Sequence, residues 1–169
     1  MVFTKESLIL EHQQILQKVK RIAFEIYEQN FEEKKLVLAG IHENGYFLAQ
    51  QLEQELKNIS PLEIQLIEVR LHKTEPLEHE IQITPLPESL KDTAVVLVDD
   101  VLNTGKTLAY TLRVFLEKDC KKLEIATLIN RHHPLYPIAA TYTGYSLATT
   151  LREHIRVVQE NGEWGAYLI

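Results

Sequence analysis

Cysteine is nearly absent: Cys120 is the only one, so no internal disulfide is available and nothing points to an oxidising compartment. Glycine and proline are scarce too, six of each in 169 residues, which excludes collagen-like repeats and low-complexity disorder. Long apolar runs are missing, and no stretch approaches the roughly 18 residues of a membrane span. From Met1 the chain reads Val2, Phe3, Thr4, Lys5, Glu6, with no basic segment leading into an apolar one. No secretory leader is expected, and the reading is of a cytoplasmic protein without membrane contact. Positive charge is in deficit. Lys plus Arg number 18 against 24 for Asp plus Glu, giving a net charge of −6 and a pI near 5.7. Nucleic-acid binding draws most of its affinity from a basic face, and the longest candidate, Lys118 to Lys122, is broken by Asp119 and Cys120. RNA is therefore disfavoured as a partner.

What remains is a globular composition, 45% hydrophobic and 25% charged. A chain of this length buries roughly 70% of its unfolded surface, enough for one core, and 1–169 is read as a single domain. Leu8, His12, Ile15, Val19, Ile22 and Ile26 follow a three-to-four spacing, which predicts an amphipathic helix whose regular part spans about 11–29. Leu36 to Ala39 reads as a buried strand ending at Gly40. Gly45 opens a second helical pattern through Leu48, Leu52 and Leu56, closing near Asn58 and Pro61. Ile64 to Leu71 is a second strand. His72 to Asp92 carries Pro76, Pro85 and Pro87, and a loop this long is usually a lid, a binding loop or a disordered segment; Ile81 and Ile83 alternate with polar neighbours, as in a short strand. Ala94 to Val98 is continuously apolar, as a strand covered on both faces would be. Leu108, Leu112, Phe115 and Leu116 keep helical register, and Leu123 to Leu128 is a further strand. Asn161-Gly162 predicts a type I′ hairpin turn, with Trp164 and Tyr167 packing on the hairpin. The alternation is that of an α/β fold with an open, mostly parallel sheet and flanking helices. In such sheets ligands bind beyond the carboxyl ends of the strands.

The segment after Val98 reads Asp99-Asp100-Val101-Leu102-Asn103-Thr104-Gly105-Lys106-Thr107 and runs directly into a helix. Small polar residues at a helix N-terminus offer amides and hydroxyls to an anion, and the helix dipole adds positive potential. Carboxylates are poor phosphate ligands but good acceptors for sugar hydroxyls. A ribose 5-phosphate satisfies both halves of the segment. The P-loop pattern G-x-x-x-x-G-K-[ST] matches only at Gly105-Lys106-Thr107, because Asp100 occupies the place of its first glycine, so the nucleoside-triphosphatase reading is rejected.

Val95 to Thr107 resembles the phosphoribosyl pyrophosphate signature of type I phosphoribosyltransferases. Arg21-Ile22-Ala23, Glu25-Ile26, Asn30, Ala39-Gly40-Ile41, Asn130-Arg131, Pro137-Ile138, Tyr142 and Gly144 are similar to the bifunctional pyrimidine operon attenuator/uracil phosphoribosyltransferase family. The resemblance implies a flexible loop at about 72–92 and a small hood over the base at about 130–169. It implies attack of a nucleobase on phosphoribosyl pyrophosphate, assisted by Mg²⁺ bound through the pyrophosphate rather than a protein cage, in a homodimer. The expected ligand is that diphosphate or a nucleoside 5′-monophosphate. Asp99 and Asp100 hold the ribose and are the catalytic candidates together with Lys73; Val101 and Asn103, Thr104, Gly105, Lys106 and Thr107 cradle the phosphate. His42, Glu43, Asn44 and Gly45 face pyrophosphate.

Departures from the family pattern fall in that last segment, where Asn44 replaces an Arg and Glu43 adds a negative charge. The hood run is Gly144-Tyr145-Ser146-Leu147-Ala148-Thr149-Thr150, so uracil is not carried over as the substrate. Pro134, Ala139 and Tyr145 replace basic positions tied to RNA. A non-catalytic nucleotide sensor is the rival reading. No residue is assigned as a metal ligand: His132 and His133 with His42 read as loop histidines, since adjacent side chains on an extended chain point apart. Tyr136 is a candidate to stack on the base.

Overall fold

The computed structural model describes residues 6–169, so the residues that carry the leader expectation, 1–5, lie outside the described residues. The elements are β1 (Ser7–Leu10), α1 (His12–Asn30), β2 (Lys35–Ile41), α2 (Asn44–Ile59), β3 (Glu63–Arg70), β4 (Gln82–Thr84), β5 (Ala94–Leu102), α3 (Lys106–Leu116), β6 (Lys122–Asn130), β7 (Tyr142–Ser146), β8 (Ile155–Glu160) and β9 (Glu163–Leu168). A six-stranded sheet has the order β4-β3-β2-β5-β6-β7, parallel except for β4 at its edge. A separate three-stranded antiparallel sheet has the order β1-β9-β8.

Alternation along the central strands explains their continuous apolar runs. Leu36 and Leu38 of β2 and Ala94, Val96 and Val98 of β5 face the core under α1 and α2. Val37, Ala39, Val95 and Leu97 face the opposite core, under Leu108 and Phe115 of α3. Both faces are covered, so polar residues have no place on either.

The sequence expectations fail where the chain pairs with distant segments. Leu8 belongs to β1, not to the first helix, and is 58% exposed; its apparent helical spacing comes from a strand that pairs with β9. Tyr142 to Ser146, read as hood, pairs in parallel with β6 as an edge of the main sheet. Tyr142 donates from its hydroxyl to Glu124 Oε2 (2.7 Å), and Asn30 donates to Glu124 Oε1 (2.9 Å), which pins β7, β6 and α1 together. The short strand around Ile83 is present as β4. At the hairpin turn Asn161 and Gly162 both have positive φ (52° and 80°), as a type I′ turn requires. Trp164 is buried in the core beneath that hairpin.

Candidate functional site

The strand order places the candidate residues together. From β2 the chain crosses through α2 to β3 on one side; β5 then returns to the other side of β2. The carboxyl ends of β2 and β5 therefore open onto a topological switch point, where helices diverge and leave a crevice. Residues 42–45 follow β2 and residues 103–107 follow β5. The expectation that Asp99 and Asp100 stand after the strand needs correction: β5 continues to Leu102, paired with β6 as far as Leu102–Asn130. The connecting loop is thus only Asn103–Gly105, and Lys106 and Thr107 already belong to α3.

A cleft of about 250 Å³ is lined by Lys73, the run Asp99–Leu108 and Ile155. It falls just below the roughly 300–1,000 Å³ typical of small-molecule pockets, a size suited to a sugar phosphate. A larger groove of about 860 Å³ lies elsewhere, between residues 76–86 and α3. Asp99 is buried, and its Oδ1 accepts the Asp100 amide at 2.9 Å. Burial, with the Asp100 charge alongside, pushes the Asp99 carboxyl well above the ordinary aspartate range, while the Lys73 ammonium pulls the other way. The long loop thus brings Lys73 to the carboxylates, and Lys106 Nζ ties the same loop down by donating to the Thr74 carbonyl (3.4 Å).

Gly105 caps α3 in the left-handed region (φ 85°). A Cβ there would lie 3.0 Å from Ile138 Cβ and 3.4 Å from the Tyr136 carbonyl. Glycine is needed here because residues 136–138 press on the back of the loop. Leu135 and Tyr136 amides both donate to the Thr104 carbonyl (2.9 and 3.0 Å), which orients the loop. Thr104 Oγ1 accepts the Lys106 amide (3.3 Å). The remaining first-turn amides of α3 have no intrahelical acceptor, so an anion in the cleft can take them.

The segment after β2 is arranged differently from the expectation. Glu43 has φ 71° and ψ −120°, a conformation that costs a non-glycine residue about 1–3 kcal/mol and that clusters at functional sites. Its side chain is 78% exposed, 3.9 Å from His42 Nε2, whereas His42 Nδ1 lies 3.5 Å from Glu68 Oε2. Burial raises the Glu68 carboxyl, but Arg70 and His42 outweigh it and hold Glu68 below the ordinary carboxylate range. Asn44 turns its amide inward, donating to Asp100 Oδ2 (3.2 Å) and to the Val157 carbonyl (2.7 Å). Gly45 faces β5: a Cβ would sit 2.8 Å from the Val98 carbonyl and 3.2 Å from Asp99 Cα. It lets α2 approach the strand that carries the carboxylates.

Arg131, part of the Asn130-Arg131 pair that carries the family resemblance, is not among the site residues expected from sequence, because sequence does not show that it will be buried. Its guanidinium donates to Asn103 Oδ1 (3.4 Å), Thr149 Oγ1 (2.7 Å), the Thr150 carbonyl (3.1 Å) and the Glu153 carbonyl. It clamps residues 149–153 to the phosphate-side loop. Ile155 and Val157 reach the site from β8, which the chain pattern showed only as a hairpin. Tyr136 packs edge-on against Tyr110 of α3, with ring centroids 6.2 Å apart. His133 contacts the Thr149 carbonyl and His42 stands between two carboxylates, and among the described residues these histidines belong to no group of potential ligands. A different group does: His72, Glu75 and His79 of the long loop hold potential ligand atoms within 4.8 Å of one another.

Comparison with known proteins adds to this geometry. The family model described as "Phosphoribosyl transferase domain" matches residues 6–160. The chain is 31% identical over 156 residues to "Bifunctional protein PyrR" of Streptococcus thermophilus, covering 91% of this chain and 90% of the relative. It is 36% identical to the protein of the same name from Syntrophobacter fumaroxidans, over 94% of this chain and 89% of that one. Among solved structures, the hypoxanthine phosphoribosyltransferase of Trypanosoma cruzi superposes with a TM-score of 0.78 over 95% of both chains at 14% identity. A Staphylococcus aureus hypoxanthine phosphoribosyltransferase gives 0.69 at 24% identity, covering 84% of this chain and 77% of that one.

Proposed function

Since the chain belongs to the phosphoribosyl transferase domain family, we propose that it binds phosphoribosyl pyrophosphate or a nucleoside 5′-monophosphate and transfers the phosphoribosyl group to a nucleobase, releasing pyrophosphate. The observation that carries this reading is the junction of Asp99 and Asp100 with the Asn103–Thr107 turn in one cleft that also receives Lys73. The carboxylates accept the ribose hydroxyls. The amides and hydroxyls of the turn take the 5′-phosphate at the start of α3. Lys73 places a cation near the charge that develops as the glycosidic bond breaks. Such a site works by orientation and charge stabilisation.

The adjacent hard oxygens of Asp99 and Asp100 fit a Mg²⁺ that would arrive with the pyrophosphate, and the ion would neutralise charge on the leaving group. The assembly we propose is a cytoplasmic homodimer. A second reading, a nucleotide sensor without turnover, is favoured by one feature: residues 42–45 offer pyrophosphate no cationic lysine or arginine, Glu43 adds a carboxylate, and the Asn44 amide is spent on Asp100 and Val157.

Calorimetry with phosphoribosyl pyrophosphate and nucleoside monophosphates, with and without Mg²⁺, tests binding; pyrophosphate release with a panel of bases tests transfer. We expect binding with slow transfer. A hydrogen bond to a charged group is worth about 1.5–3 kcal/mol, so its loss slows turnover by roughly 10- to 150-fold. Glu43→Thr combined with Asn44→Arg is expected to speed transfer. Asn44→Ala, which only frees Asp100 and Val157, is expected to slow it further. Binding without transfer in wild type and double variant, for every base, would favour the sensor.

A further inference from the structure

The long loop between β3 and β4 holds a cluster that the phosphoribosyl site does not use. His72, Glu75 and His79 are all exposed, and their ligand atoms lie within 4.8 Å of one another. The imidazoles are stacked, with centroids 4.4 Å apart and planes 25° from parallel. Glu75 Oε2 stands 3.9 Å from His79 Nε2. Between Glu75 and His79 the chain turns, with the Glu78 amide donating to the Glu75 carbonyl (3.2 Å).

From this arrangement we propose that His72, Glu75 and His79 bind one borderline divalent cation of the Zn²⁺ class, with water completing the coordination. Two imidazole nitrogens and one carboxylate oxygen form a donor set that such ions prefer, whereas Mg²⁺ prefers oxygens alone. Ligands about 2.0–2.2 Å from a tetrahedral ion stand roughly 3.3–3.6 Å apart, so the set closes by small rotations of exposed side chains.

The His72 ring is oriented by its own turn. Its Nδ1 now accepts from the Glu75 amide (3.0 Å) and lies 3.1 Å from Thr74 Oγ1. The neutral ring therefore carries its proton on Nε2. That leaves Nε2 as the nitrogen free to meet a cation, with the proton on Nδ1 in a ring so ligated. The consequence for function, which rests on the reading above, lies in the intervening residues. Lys73 faces Asp99, and the Thr74 carbonyl accepts from Lys106. A cation that ties His72 to His79 restrains this stretch over the carboxylates.

The test uses the full chain and Zn²⁺ alone, without any phosphoribosyl ligand, so its outcome is independent of the proposed transfer. Competition against a chelating dye is expected to show one equivalent bound by wild type. His79→Ala and Glu75→Gln are each expected to weaken binding by more than about tenfold, with unchanged circular dichroism, while His132→Ala and His133→Ala have no effect. Zn²⁺ is also expected to slow tryptic cleavage after Lys73 in wild type but not in His79→Ala. Zn²⁺ binding unaltered by His79→Ala and Glu75→Gln, or no stoichiometric binding by wild type, overturns the site.

Discussion

Asp99 is the residue on which stability and function pull apart. Its folded-state carboxyl titrates well above the reference value of 3.8, with burial the main cause and Asp100 the next. Below that reference value both folded and unfolded chains hold the proton, and the group has no effect. As pH rises the unfolded chain releases its proton first, so the folded state binds more protons and stability falls with pH until the native carboxyl ionises too. Asp99→Asn keeps the acceptor for the Asp100 amide and removes the titration. It is expected to melt higher than wild type at pH 8, with the difference vanishing toward pH 4, while binding of phosphoribosyl pyrophosphate is lost. At this chain length each kcal/mol reads as about 2–4 °C in Tm. A lower melting point at pH 8 would show that Asp99 is not a buried liability. Such a trade of stability for a poised site is common where a charge is held ready for a ligand.

At the scale of elements, the start of α3 is held from behind. The segment 135–138 hydrogen-bonds to the Thr104 carbonyl and packs against Gly105, so the shape of the phosphate-side turn depends on a stretch some thirty residues later in the chain. Gly105→Ala is expected to weaken ligand binding nearly as much as Gly105→Val, because the first carbon already meets Ile138 and because φ 85° is strained for either residue. The stability cost is about 1–3 kcal/mol, read as a lower Tm. Wild-type affinity in Gly105→Ala, measured by calorimetry, would contradict this account. Arg131 plays the matching part on the other flank, linking Asn103 to residues 149–153.

For the whole molecule, net charge bears on the expected relation to nucleic acid. The net charge is −6, and the lysines of the one basic stretch have separate partners. Lys121 pairs with Glu33 (2.7 Å), Lys122 donates to the Gln29 carbonyl (2.9 Å) and Lys118 donates to the Pro87 carbonyl (3.3 Å). Lys121 and Lys122 turn to the end of α1 and Lys118 to the loop at Pro87, so each is already partnered. Affinity for a pyrimidine-leader-type RNA is expected to be no better than non-specific, about 10⁻⁴ to 10⁻⁶ M at physiological salt. Nanomolar, sequence-selective retention in a filter assay would overturn that expectation.

Local pattern was sufficient for the elements whose reasons are local. The twin-faced apolar run of Ala94 to Val98, the helical spacing of α1 through α3 and the Asn161-Gly162 turn are dictated by side-chain period and by φ preference. So is the juxtaposition of Asp99, Asp100 and the Asn103–Thr107 turn, because those residues are neighbours in the chain. Pairing across long separations was not legible. β1 exists because β9 supplies its hydrogen bonds, and β7 because β6 and the Glu124–Tyr142 contact hold it. Asn44 could be recognised from its position, but not its grip on Asp100 and Val157, since that depends on where β8 comes to lie. The same holds for burial, which raises the proton affinity of the Asp99 carboxyl and makes Arg131 a clamp: desolvation is a property of the packed molecule, and only the tertiary structure decides it.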